Sequence, residues 1–193
     1  MNVIPTRLPG AVILEPQVFG DPRGFLMETW NQRRYAALGL PERFVQDNLS
    51  YSVKGVLRGL HLQAPCPQGK LISVVEGSVF DVAVDLRRGS PTFAQWVGVT
   101  LSAESKRQLY VPEGFAHGFV VTGDHAIVLY KCTQFYSPEH ELSLLWNDPD
   151  LGIDWPLESP TLSSKDQNAF RLRELPIERL PQYDGKLSAG ESV

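Results

Sequence analysis

Cysteine is scarce. Cys66 and Cys132 are the two in 193 residues, too few for a disulfide framework. Cys66 sits between two prolines and Cys132 within an apolar-alternating run, so both are expected as reduced thiols in a cytoplasmic protein. A surplus of positive charge is also missing. Eighteen Lys+Arg stand against twenty-two Asp+Glu, a net charge of −4. That argues against sequence-independent DNA or RNA binding, where basic surface supplies most of the affinity. A small anionic ligand in a local Arg/Lys cluster stays open, because net charge says little about one cleft. No stretch approaches the roughly 18–20 uninterrupted apolar residues that cross a bilayer. Residues 1–10 hold no apolar run before a small-residue cleavage site. A metal-ligand pattern is lacking too. Strand-borne sites use His or carboxylate ligands on one face, such as His-x-His with a nearby Glu. Here Gln63 follows two residues after His61, and His117 stands alone in Gly114-Phe115-Ala116-His117-Gly118-Phe119. No metal is expected.

What is present fits one soluble domain spanning 1–193, with 42% hydrophobic and 21% charged residues. Sixteen Gly and fifteen Pro point to many turns and short strands. Between Phe44 and Tyr136 no long segment keeps a helical period. Short runs of Val, Ile, Leu, Phe and Tyr recur between Gly, Pro and Asp instead. Runs 71–75 and 79–86 flank Glu76-Gly77-Ser78, which reads as a tight hairpin with Gly supplying φ > 0. In the second run Phe80, Val82, Val84 and Leu86 alternate with Val79, Asp81, Ala83 and Asp85, one strongly apolar face and one mixed face. Further strands are predicted at 94–101, 108–111, 117–121 and 126–135, broken by Pro112-Glu113-Gly114 and Thr122-Gly123-Asp124. The spacing predicts a mainly β fold, an antiparallel jelly roll or barrel with short flanking helices. Asn31 is the expected cap of a helix over 32–38, stopped by Gly39. Ser164 is the expected cap of a turn from Lys165, with Gln167 completing a capping box. From Asn147 the chain is irregular, and 185–193 is polar enough to be disordered.

Several polar residues do not belong to the scaffold pattern. Arg58-Gly59-Leu60-His61-Leu62-Gln63 puts a guanidinium, an imidazole and an amide on one short strand. Strict alternation points Arg58 away from His61 and Gln63, whereas a bulge at Gly59 would bring them together. An Arg at a strand end beside a His satisfied by a backbone carbonyl fits the spacing equally well. Tyr130, Cys132, Gln134 and Tyr136 share one face by the period of two, which packing alone explains. Phe19-Gly20-Asp21-Pro22-Arg23-Gly24-Phe25 is a turn with one Arg between aromatics. It suits a phosphate and a stacked base, or an exposed turn with an anchoring Phe, equally. Asp166 near a helix start favours the helix dipole with no further role.

Read in order, these segments resemble a known family. Phe19-x-Asp21-x-Arg23-Gly24-Phe25, Gln46-Asp47-Asn48, Gly55-Val56-Leu57-Arg58-Gly59-Leu60-His61 and Gly69-Lys70-Leu71 look like the dTDP-4-dehydrorhamnose 3,5-epimerases. So do Val111-Pro112-Glu113-Gly114-Phe115-Ala116-His117-Gly118-Phe119, Leu129-Tyr130-Lys131, Trp146-Asn147-Asp148-Pro149, Ile153-Asp154-Trp155-Pro156 and Ser164-Lys165-Asp166. The resemblance covers 12–175 with matching order and spacing. Phe135-Tyr136 departs from it where Tyr-Tyr is common.

The resemblance implies a cupin-like jelly roll, a homodimer with N-terminal strands exchanged between subunits, and no metal or organic cofactor. It implies a sugar-nucleotide epimerase that inverts C3 and C5 of a dTDP-4-keto-6-deoxyhexose. His61 would be the base, oriented by Asp166; Tyr130 the acid across the ring; Lys70 the positive charge near the C4 oxygen. Arg23, Gln46, Asn48 and Arg58 would hold nucleotide, diphosphate and sugar polar groups, with Phe19 and Tyr136 as stacking surfaces for thymine. His117 would line the sugar site, and Glu28, Glu141 and Lys165 match further binding positions, Glu28 by way of the partner subunit. Two alternatives stand beside this reading: an epimerase acting at C3 or C5 alone, and a non-catalytic sugar-nucleotide-binding cupin, which would be expected to lack the base or the acid.

Overall fold

The structure, a computed structural model, describes residues 1–185. The expected disorder of the tail concerns 186–193, outside the described residues. In chain order the first elements are β1 (Asn2–Pro5), β2 (Val12–Glu15), β3 (Val18–Asp21), β4 (Gly24–Met27), α1 (Gln32–Ala36) and β5 (Gln46–Val53). Then come β6 (Leu57–Gln63), β7 (Lys70–Asp85), β8 (Trp96–Ser102), β9 (Gln108–Val111), β10 (Phe115–Cys132), β11 (Glu141–Ser143) and α2 (Ser164–Gln167).

Two long strands organise the sheet. β7 and β10 pair antiparallel from Phe115 opposite Asp85 to Cys132 opposite Lys70. Each has different neighbours at its two ends. β7 meets β9 over Lys70–Ser73 and β8 over Ser78–Val84. β10 meets β6 near His117 and β5 over His125–Cys132. The main path runs β1-β2-β9-β7-β10-β6-β11, and the fold is a cupin-like antiparallel jelly roll. β3 and β4 form a separate two-stranded hairpin. Among the described residues no helix is long and apolar enough to cross a membrane.

The hairpin expected at Glu76-Gly77-Ser78 does not form. Gly77 takes φ +76°, but the ladder continues on both sides of it, so the glycine sits at a bulge whose extra residues, 122–125, lie on β10 opposite Ser78, rather than at a reversal. A Cβ at Gly77 would collide with the His125 carbonyl, which explains why the bulge needs glycine. The break expected at Thr122-Gly123-Asp124 is likewise absent. β10 runs through it with a register shift, and the Ser78 and Thr122 hydroxyls hydrogen-bond at 2.9 Å. At its other end β10 stops at Cys132, short of the expected 135.

The helices are where they were expected but shorter or shifted. Asn31 Oδ1 accepts from the Arg34 N–H at 3.1 Å and caps α1, which ends at Ala36. For α2 the cap is Ser163, not Ser164. Its Oγ accepts from the Asp166 N–H at 3.2 Å, so Asp166 occupies the third helical position. The expected capping box with Gln167 is therefore absent, and the acid at the box position turns to another partner.

Both faces of β7 are buried, for different purposes. Val82, Val84 and Leu86 pack with Leu60, Leu62, Leu144, Leu151, Leu175 and Leu180, so the irregular C-terminal stretch is the cover of that apolar face. Val79 and Ala83 face a second core with Ile72, Leu101, Phe115 and Phe119. Burial of each such Leu or Phe contributes about 1.5–3 kcal/mol.

β6 and β10 come unusually close at a pair of glycines. A Cβ on Gly118 would lie 2.7 Å from the Arg58 carbonyl oxygen and 2.9 Å from the Gly59 Cα. Both obstacles are backbone, so one strand would have to move. Gly118→Ala is expected to cost about 1–3 kcal/mol in denaturant unfolding, the usual range for overpacking. A variant as stable as the parent would show that the two strands have room to separate.

Candidate active site

The strand expected to carry Arg58 and His61 is β6, and its register with β10 explains how they meet. His117 pairs with His61 and Phe119 with Arg58, so Gly59 and Leu60 of β6 face Gly118 alone on β10. The extra residue is a bulge at Gly59, whose φ of +130° is open to glycine and whose Cβ would lie 2.5 Å from the Gly118 Cα. Arg58, His61 and Gln63 thereby line one cavity of about 770 Å³.

His61 is held by a carboxylate. Its Nε2 and Asp166 Oδ1 are 2.6 Å apart, and Asp166 is 2% exposed. Burial pushes Asp166 up, but the His61 hydrogen bond, its charge and the Ser163 cap outweigh burial, so the carboxyl titrates below its usual range. Burial pushes the His61 imidazole below its ordinary value, with Asp166 opposing. The combination is an ionised carboxylate accepting from a neutral imidazole. With the Nε2 proton turned to Asp166, Nδ1 keeps its lone pair. The nearest carboxylate to Nδ1 is Glu141 Oε1 at 3.9 Å, beyond hydrogen-bond distance.

Three further groups complete the chemistry. Tyr130, on β10, lines the cavity, and burial raises its phenol above the ordinary value against the opposing charge of Arg58. It is therefore protonated at neutral pH. Lys70, at the start of β7, is 9% exposed and lines the same cavity. Burial draws its ammonium down, opposed by Glu141 and Asp81 among others. Among the described residues its side chain makes no ion pair or hydrogen bond, which leaves a buried cation without a carboxylate partner. His117 Nε2 lies 2.9 and 3.1 Å from the two oxygens of Asp81, a fully buried carboxylate.

The remaining lining residues are tied to one another. Tyr136 donates its hydroxyl to Glu141 Oε2 at 2.9 Å, and Lys165 Nζ lies 2.9 Å from the same oxygen. Burial pushes Glu141 up, but Lys165, His61 and Tyr136 together bring it below its usual range. Gln46 donates to Asn48 at 3.1 Å, and Arg58 donates to Ser52 Oγ at 2.9 Å. Among the described residues, no three His, Cys, Asp or Glu side chains are grouped to hold a metal ion.

The cavity thus gathers His61, Asp166, Tyr130, Lys70, Gln46, Asn48, Arg58, His117, Tyr136, Glu141 and Lys165. It does not gather Phe19, Arg23 or Glu28 of the same chain. Phe19 and Arg23 are exposed on the β3–β4 hairpin, Arg23 pairing with Asp21 at 2.5 Å. Glu28 accepts from Asn31 at 3.1 Å and from Arg34 at 3.4 Å. Sequence reasoning missed two contributors, Asp81 and Ser163. Asp81 was visible as a charge within the mixed face of β7. Ser163 was hidden by the serine beside it.

The family described as dTDP-4-dehydrorhamnose 3,5-epimerase matches residues 5–174. The chain belongs to this epimerase family. A dTDP-4-dehydrorhamnose 3,5-epimerase of Pseudomonas aeruginosa is 60% identical over 169 residues, 86% of this chain and 93% of that protein. Its counterpart in Methanothermobacter thermautotrophicus is 54% identical over 177 residues, 90% of this chain and 96% of that protein. The crystal structure of a dTDP-6-deoxy-D-glucose-3,5-epimerase from Legionella pneumophila, in complex with dTDP-4-keto-L-rhamnose, superposes with a TM-score of 0.92. It is 55% identical, covering 94% of this chain and 98% of that one.

The electrostatics of the pair predict a specific titration. By NMR, the His61 ring of this epimerase-family chain should titrate below the ordinary 6.5. Asp166→Asn removes the charge that opposes burial, so the midpoint should fall further. An upward shift in Asp166→Asn would show that the carboxylate does not favour the imidazolium.

Proposed function

We propose that the chain is an isomerase that converts dTDP-4-dehydro-6-deoxy-D-glucose to dTDP-4-dehydro-L-rhamnose by inverting C3 and C5. One observation carries the reading: a neutral imidazole held by a buried carboxylate, a protonated phenol and an unpartnered ammonium share one cavity. The C4 ketone acidifies the hydrogens on C3 and C5. His61 takes one through Nδ1, and the electron pair moves into the ring to give an enolate. Lys70 stabilises the negative charge that collects on the C4 oxygen. Tyr130 returns a proton to the opposite face, which inverts the centre, and exchange with solvent restores both side chains. Repetition at the second carbon completes the reaction. Asp166 keeps the imidazole in the tautomer that leaves Nδ1 free.

Arg58 and Lys165 are the cationic groups for the diphosphate in this reading, with Gln46 and Asn48 on nucleotide and sugar oxygens. Tyr136 stacks on thymine, and His117 and Glu141 line the sugar. The free thiols Cys66 and Cys132 accord with a cytoplasmic enzyme. Phe19, Arg23 and Glu28 serve the cavity of a second subunit, in a homodimer that exchanges N-terminal strands. Two features support the dimer. The β3–β4 hairpin pairs with no other strand among the described residues, and β5 leaves Leu49, Tyr51 and Val53 exposed on its outer face.

His61→Ala is expected to lower kcat by about 10²–10⁴-fold, the contribution of one general base. In deuterated water the parent should exchange the hydrogens of both C3 and C5 of the substrate, read by NMR. Exchange at one carbon alone would sink the double epimerisation, and full activity in His61→Ala would sink the mechanism. Subunit exchange has its own test. Co-refolded His61→Ala and Arg23→Ala chains should be more active than the two separate variants added together. In the mixed dimer one cavity receives both intact residues. A monomer by sedimentation, or no recovery on mixing, would refute the exchange.

A further inference from the structure

Tyr136 lies beyond the end of β10, where the ladder no longer fixes the backbone. Cys132 and Thr133 still bond to neighbouring main chain, but the next four residues are held by glutamine side chains. Gln68 Nε2 donates to the Gln134 carbonyl at 2.8 Å. Gln63 Nε2 donates to the Phe135 carbonyl at 3.2 Å, and its Oε1 accepts from the Ser137 N–H at 2.7 Å. Gln46 Oε1 accepts from the Tyr136 N–H at 2.9 Å. Gln63 also donates to the Cys66 carbonyl at 2.9 Å, so both of its N–H bonds and its carbonyl are used. It is 3% exposed.

Gln63 is the centre of this bracket. It reaches from β6, two residues after His61, to the backbone on both sides of Tyr136 and to the loop that follows β6. A carboxamide suits the task because it offers a donor and an acceptor at one site and brings no charge. A lysine or a glutamate there would alter the field in a cavity that must accept a dianionic diphosphate and remove a proton beside a ketone. A stacking ring on an unanchored loop must also be ordered at each binding event, which weakens affinity.

We propose that Gln63 is a positioning residue that fixes Tyr136 as the wall for the nucleotide base, setting nucleotide affinity without entering the proton transfers. This rests on Tyr136 stacking on thymine, as proposed above. The test compares Gln63→Met, Tyr136→Ala and the double variant in the full-length protein, by steady-state kinetics and by calorimetric binding of dTDP. Gln63→Met is expected to raise KM and the dTDP dissociation constant about tenfold, within the range of one lost base–aromatic stack. Its kcat should change by less than about threefold, the pattern of lost uniform binding. The double variant should bind no worse than Tyr136→Ala alone, because the two residues act as one unit.

Unchanged dTDP affinity in Gln63→Met while Tyr136→Ala weakens it would overturn the inference and leave the stacking reading intact. Additive losses, or a fall in kcat at constant KM, would overturn it as well. Unchanged affinity in Tyr136→Ala would overturn the stacking reading and the inference together. Should Gln63→Met fail to fold, Gln63→Asn keeps an uncharged carboxamide that is one methylene too short to bracket the loop. It should show the same split, and parental dTDP binding by it would refute the role.

Discussion

The pairing of β7 with β10 is the constraint from which the rest of the site follows. Each strand is long enough to bond one set of neighbours at one end and another set at the other. That fork lets one sheet fold over into a roll without a separate corner segment, and bulges absorb the twist. It also distributes chemistry along two ladders. β7 supplies Lys70 and Asp81, β10 supplies His117 and Tyr130, and the β6 branch brings His61 beside His117. The groups proposed to remove and return protons thus stand on different strands. Inversion requires that separation, since a single face cannot both take the proton and receive it.

Electrostatics inside the cavity are local to it. The chain as a whole carries a net charge of −4, yet Lys70, Arg58 and Lys165 converge on one hollow. Most charged groups there are matched. Lys165 has Glu141, His61 has Asp166, and His117 has Asp81. Arg58 has no carboxylate but donates to the Ser52 hydroxyl and the Tyr51 carbonyl, whereas the Lys70 ammonium has neither kind of partner among the described residues, and an unpaired buried ammonium is costly in a resting protein. Such a cost is sensible where negative charge develops only transiently, because a permanent carboxylate partner would already have neutralised it. Competition between burial and hydrogen bonding decides each protonation state. For His61 burial wins, and for Asp166 the hydrogen bonds win.

Much of this was legible in the residues, and the misses share a cause. The β class, the strand at Gln108–Val111 and the bulge at Gly59 follow from period-two patterning and from glycine within a strand. The same glycine signal failed at Gly77, because a positive φ serves a bulge and a hairpin equally. Only the partner strand distinguishes them, and the residue opposite Gly77 is Ala126, far along the chain on β10. Thr122-Gly123-Asp124 misled for the same reason. Ser163 and Ser164 could not be told apart as caps by composition, whereas Asp166 reaching for His61 selects the earlier serine. Asp81 was read as the polar side of a strand, since nothing in β7 itself announces the imidazole opposite. The eleven cavity residues that were anticipated came through resemblance to a family; the spacing of Arg58 and His61 alone had left two readings level.

The three anticipated residues outside the cavity make a different point. Phe19, Arg23 and Glu28 sit on or next to a hairpin with no strand partner of its own. A two-stranded ribbon of four-residue strands is marginal in water, and this one also exposes Phe19, Phe25 and Leu26. Its apolar side chains and its Arg face solvent together, so whatever covers the former must also receive the latter. A second copy of the chain, as proposed above, would satisfy both demands at once. In the homodimer proposed above it would offer the exposed face of β5 to the apolar residues and, to the arginine, the diphosphate of a substrate held in its cavity. On that proposal dimerisation and substrate binding are one packing problem.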